Sequence, residues 1–167
     1  MKLQRSHTTR AADLGRDPAA WLAFGLGSGL SPFAPGTWGA LSALPLAWGL
    51  HLSGPAPYAI VTSVIAVAGI WLCGHTARRL GVHDHPGINL DEVAGQLIAC
   101  AMVPLDWRWF VLAFVLFRFF DILKPWPIRW LDRHCGGGFG IMADDIAAGI
   151  VAGVLVWVCT LLLGWFI

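Results

Sequence analysis

Apolar residues come in long blocks in this chain, and most of its charge is confined to the stretches between them. That partition restricts the fold more than any single motif does. A block of about 20 apolar residues can cross a bilayer, where every backbone polar group must find its partner inside protein. Hydrophobic residues make up 57% of the 167 and charged residues only 13%, and mean hydropathy is +0.67. The expectation is an all-α, polytopic helical membrane protein with about four to five short transmembrane or re-entrant helices. A net charge of +1 offers no electrostatic case for nucleic acid.

The first apolar block, Ala20 to Leu30, is too short to span and reads as interfacial or re-entrant. Glycines and prolines between Ser28 and Gly39 argue against regular helix, and Thr37 is the expected N-cap of a helix running to Leu52, kinked at Pro45. Residues 51–57 read as a short connection. A second crossing follows from Tyr58 to about Cys73, then a polar segment from Leu80 to Glu92. Val93–Val103 and Trp107–Phe120 are short apolar passes turned by Pro104-Leu105-Asp106, and the last crossing is expected over Ile146–Ile167. Gly149 and Gly153 have the spacing of a helix-contact pair.

Lys and Arg are distributed unevenly. Four lie in the N-terminal stretch, two in the 75–92 segment and four in the 118–145 segment, with none in 51–57. The positive-inside rule then puts the tail and both acidic segments in the cytoplasm, with a polar site facing that side. Residues 1–19 lack the charged-then-apolar pattern of a signal peptide and read as a cytoplasmic tail. Residues 20–167 read as a single integral membrane domain. Three of the four cysteines sit in apolar segments, and no CxxC pair suggests a disulfide framework.

The 118–145 stretch, RFFDILKPWPIRWLDRHCGGGFGIMADD, concentrates ionisable groups beside the apolar blocks. Such groups are costly near a bilayer and usually mark a site. Together the two inner segments hold Asp84, Asp91, Glu92, Asp121, Asp132, Asp144 and Asp145, against Arg118, Lys124, Arg129 and Arg133. Were they to converge, seven carboxylates would face four cations, and a divalent cation would offset the excess. Carboxylates without paired thiolates are hard oxygen ligands, which favours Mg²⁺ over zinc. The competing reading pairs each carboxylate with a nearby cation, as Arg118 and Asp121 could at i,i+3. His83-Asp84-His85 lacks the tight spacing of a zinc site. Arg118, Lys124 and Arg129 suit phosphate contact, and the loop from Ser28 to Thr37 could present backbone N–H groups to a phosphate.

Four blocks then carry a resemblance: GLGSGLSPFAPGTWG, VHDHPGINLDEVAG, FRFFDILKPWPIRWLDR and GGGFGIMADDIAAG. They resemble the signature blocks of the phosphatidylglycerophosphatase A family, in the same order, from about residue 24 to 153. The resemblance implies a multi-pass, Mg²⁺-dependent lipid phosphatase of the bacterial inner membrane, active at the cytoplasmic face. It implies conversion of phosphatidylglycerophosphate to phosphatidylglycerol, a step of phospholipid biosynthesis, and says nothing of protein partners. Candidate catalytic residues are Asp84, Glu92, Asp121, Lys124, Asp144 and Asp145. Candidate metal ligands are Glu92, Asp121, Asp144 and Asp145, and candidate phosphate contacts are Ser28, Thr37, Arg118, Lys124 and Arg129. A metal-activated water and a carboxylate nucleophile both remain open as routes.

Overall fold

The computed structural model describes residues 11–82 and 85–163, and no strand occurs among them. Eight α-helices follow in order: α1 (Ala11–Leu14), α2 (Pro18–Ala23), α3 (Pro35–Ser53), α4 (Pro55–Leu80), α5 (Leu90–Cys100), α6 (Trp107–Leu123), α7 (Ile128–His134) and α8 (Gly137–Leu163). A 3₁₀ stretch, Gly25–Leu30, lies between α2 and α3.

Local chemistry sets several of these boundaries. Asp17 caps α2 by accepting from the Ala19 N–H at 3.0 Å, and Pro18 takes the first helical position, where its missing donor costs nothing. Asp106 caps α6 in the same way through the Arg108 N–H at 2.9 Å. Arg78 and Arg79 close the last turn of α4, where cations complement the helix dipole.

Three expectations change here. Ala34, not Thr37, occupies the N-cap of α3, because Pro35 supplies the first turn and Thr37 falls inside it. Pro45 lies within α3, as expected, and the helix continues past it to Ser53. The connection expected over 51–57 shrinks to Gly54, whose φ of +99° permits the reversal between α3 and α4. The last helix starts at Gly137 rather than at Ile146, so Asp144 and Asp145 stand on a helix and not in a loop. Asp91 and Glu92 likewise sit in the first turn of α5.

α8 packs against α4, α5, α6 and α7, while α5 is enclosed by α3, α4, α6 and α8. Glycine makes this closeness possible. A Cβ at Gly149 would collide with the Gly95 carbonyl, and one at Gly95 would sit 2.6 Å from the Asp145 carbonyl oxygen. Gly153 lies against the backbone of Ile98 and Ala99, so the Gly149/Gly153 pair is the contact seam its spacing suggested. One core cluster gathers Ala40, Ala43, Leu97, Phe110, Phe117 and Val156; a second joins Leu14, Phe24, Cys73 and Met142.

Polarity is partly inverted relative to a soluble protein. Ile60, Val64 and Val67 on α4, Val111 and Val115 on α6, and Leu161 and Leu162 on α8 are exposed, whereas Asp91, Asp121, Asp144 and Asp145 are buried. α4 and α8 are long and apolar enough to cross a membrane. α5, with 11 residues, rises about 16 Å, roughly half of a hydrocarbon core.

Candidate active site

The ends of four helices meet at one end of the molecule: the starts of α3, α5 and α8 and the finish of α6. A cavity of about 170 Å³ opens there, lined among others by Asp91, Glu92, Asp121, Lys124, Asp144 and Asp145. α5 and α8 supply two carboxylates each because both helices present consecutive acids in their N-terminal parts. Consecutive residues on a helix diverge by about 100°. Asp91 and Glu92 can both be enclosed because α5 is surrounded on every side; Asp91 is 8% exposed. Asp144 and Asp145 split their tasks instead, with Asp144 reaching Lys124 and Asp145 grouped with the acids of α5.

Asp91, Glu92 and Asp145 can each offer an oxygen within 4.8 Å of the other two. Asp91 Oδ1 and Glu92 Oε2 are buried and have no hydrogen-bond partner. Buried polar atoms in proteins are nearly always satisfied, so unpartnered oxygens on two carboxylates of one close group fit a cation. The donor set is all carboxylate, and that suits a hard ion such as Mg²⁺. Asp91 was not among the ligands expected from the sequence. Its adjacency to Glu92 was the available signal, but only the enclosure of α5 turns both inward.

Two cations border this centre. Arg118 Nη1 lies 2.5 Å from Asp121 Oδ2, the i,i+3 pair anticipated on α6, and 3.9 Å from Glu92 Oε1. Gly36, at the start of α3, leaves the room that Glu92 occupies, since a Cβ there would collide with its carboxyl. Lys124 caps the end of α6 in the left-handed region, with φ of +43°. That conformation is strained for a non-glycine residue and is sustained by what the side chain gains. Lys124 Nζ donates to Asp132 at 2.6 Å and to Asp144 at 2.5 Å. Partial burial disfavours its ammonium, but the two carboxylate bonds outweigh it and raise its pKa above the ordinary lysine value.

The remaining candidates are placed elsewhere. Ser28 Oγ donates to the Gly25 carbonyl and accepts from Asn89 Nδ2 at 2.8 Å. Asn89, which the sequence reading passed over, is fully buried and also donates to the Pro35 carbonyl, tying the 3₁₀ stretch to the start of α3. Arg129 is exposed on α7 and donates to the Leu123 carbonyl at 3.2 Å. Ser28, Thr37 and Arg129 do not line the acidic cavity. Asp84 lies outside the described residues.

Buried carboxylates gathered at one end of a helical bundle, with a lysine and an arginine beside them, define a helical enzyme suited to phosphate chemistry. The family model described as "Phosphatidylglycerophosphatase A" matches residues 21–160. A protein of that name from Escherichia coli (strain K12) is 47% identical over 145 residues, covering 85% of this chain and 84% of its own length. One from Haemophilus influenzae is 47% identical over 143 residues, covering 84% of this chain and 88% of its own. A relative from Bacteroides thetaiotaomicron, 38% identical over 148 residues (84% of this chain, 92% of its own), bears the provisional name phosphatidylinositol-3-phosphatase. No solved structure matches. The chain belongs to the phosphatidylglycerophosphatase A family, and it is a phosphatase.

Proposed function

We propose that this chain is a Mg²⁺-dependent lipid phosphatase that hydrolyses the terminal phosphomonoester of phosphatidylglycerophosphate to phosphatidylglycerol and inorganic phosphate. The observation that carries the metal dependence is the trio Asp91, Glu92 and Asp145, with two of its oxygens buried and unpartnered. These three residues would hold the ion. When bound, Mg²⁺ supplies positive charge against the phosphate oxygens. Lys124 brings a second positive charge to the cavity wall, where charge on the transferring phosphoryl group is offset. Arg118 holds Asp121 and stands beside Glu92, fixing the carboxylate edge. In the net reaction an oxygen from water bonds to phosphorus, the ester P–O bond breaks, and a proton reaches the departing lipid alkoxide.

The experiment is phosphate release by purified protein from phosphatidylglycerophosphate, phosphatidic acid and phosphatidylinositol 3-phosphate. Phosphatidylglycerophosphate should give the highest kcat/KM. Preference for phosphatidylinositol 3-phosphate would instead favour the activity named for the Bacteroides relative.

The same reading makes the enzyme a multi-pass protein of a bacterial inner membrane, with four to five passes and its site at the cytoplasmic face. The Lys/Arg asymmetry and the gathering of the acids at one end support it. α3 and α6, about 28 and 25 Å long, approach bilayer thickness and carry exposed apolar faces. Single cysteines can test this in a variant lacking the four native ones. At the exposed positions Pro86 and Arg133 they should be labelled only by reagents that reach the cytoplasm, and at Ser53 from outside. Labelling of 86 and 133 from opposite sides would refute a single cytoplasmic site.

A further inference from the structure

Lys124 has two carboxylate partners, and they are not equivalent. The Asp144 side chain is 8% exposed and built into α8, whereas that of Asp132 is 39% exposed and stands on α7 at the cavity wall. α7 is slight: seven residues long, with Ile128 its sole buried member. Gly136 and Gly137, the latter at φ +64°, follow it. A seven-residue helix that packs on α8 with a single buried side chain yields locally at lower cost than the long helices around it. Lys124 itself is held in place by its position as the cap of α6.

A phosphomonoester dianion entering the cavity would meet an ammonium already occupied on both sides. The buried Asp144 bond is expensive to give up, because it would leave a carboxylate without a partner. The Asp132 bond is cheap, because water can replace the lysine at an exposed carboxylate. We infer that Asp132 is an exchangeable latch on Lys124: it yields the ammonium to the substrate's phosphate and reclaims it as inorganic phosphate leaves. Asp132 thereby sets phosphate affinity and helps clear the product. The inference rests on the phosphatase reading above and adds a residue that governs ligand turnover at the same site.

The test is calorimetric titration of inorganic phosphate into the purified full-length chain with Mg²⁺ present, beside kinetics on a lipid phosphomonoester. Asp132→Asn removes the competing charge with little change of shape. It should tighten phosphate binding about fivefold, the scale of one partly exposed charge pair. KM should fall by a similar factor, and kcat should fall as phosphate departs more slowly. Asp132→Glu, which restores the charge, should return all three values toward wild type. Phosphate binding that is unchanged in Asp132→Asn overturns the latch, since no competition then exists. Weaker binding also overturns it, because Asp132 would then be positioning Lys124 for the ligand. So does failure of phosphate to bind either protein. A wild-type chain that binds phosphate but hydrolyses no lipid phosphate would sink the proposed reaction, while the titration would still decide the latch.

Discussion

Glu92→Gln should lower turnover by at least about 100-fold, the low end for losing a catalytic or charge-stabilising group. Glu92 Oε2 is buried without a hydrogen-bond partner, and Oε1 lies 3.9 Å from Arg118. The amide keeps the shape that Gly36 accommodates but removes the charge a cation would need. Asp145→Asn and Asp91→Asn should behave alike, and each should weaken Mg²⁺ binding measured directly by calorimetry. Asp121→Asn and Asp144→Asn should also lose turnover, through Arg118 and Lys124 respectively. Their Mg²⁺ affinity should be less affected, which separates the ion's holders from the bordering pairs. Asp106→Asn, at the far end of α6, is the control, because asparagine caps a helix about as well as aspartate. Equal damage there would mean that folding, and not the site, accounts for the losses.

Removal of the metal should have the largest effect of all. Chelation should abolish phosphate release, and added Mg²⁺ should restore it. The same ion should raise the thermal midpoint, since a ligand bound only by the folded state stabilises it by mass action. That rise should be absent in Glu92→Gln. Without a cation, Asp91, Glu92 and Asp145 repel one another in a buried setting and would repel the phosphate as well. Undiminished activity after thorough chelation would remove the ion from the mechanism and leave Lys124 and Arg118 as the only positive charges there described.

The helical class was legible from the apolar blocks, because a segment surrounded by lipid must satisfy its backbone internally. So was the clustering of charge, which left few places for a polar site. The family blocks pointed to the chemistry, and the Gly149/Gly153 seam could be read from spacing alone. Helix starts were harder to read. Gly136-Gly137-Gly138 looks like a loop to any propensity argument, yet α8 begins at Gly137, whose φ of +64° suits glycine, and close packing excludes a side chain at the next position. A Cβ at Gly138 would collide with the Ile70 carbonyl of α4.

Linear order could list the carboxylates but could not assign their partners. Asp91 and Glu92 both turn inward only because α5 is enclosed by four helices, and Asp145 reaches them only because Gly95 and Gly149 bring α5 and α8 into backbone contact. Asp121 and Asp144, equally acidic in the sequence, are claimed instead by Arg118 and Lys124. The sequence by itself determined that most of the charged groups would lie in two segments between apolar blocks. Tertiary packing decided how they divide: Asp121 and Asp144 against Arg118 and Lys124, and Asp91, Glu92 and Asp145 together in the interior, with Arg118 at the edge of Glu92.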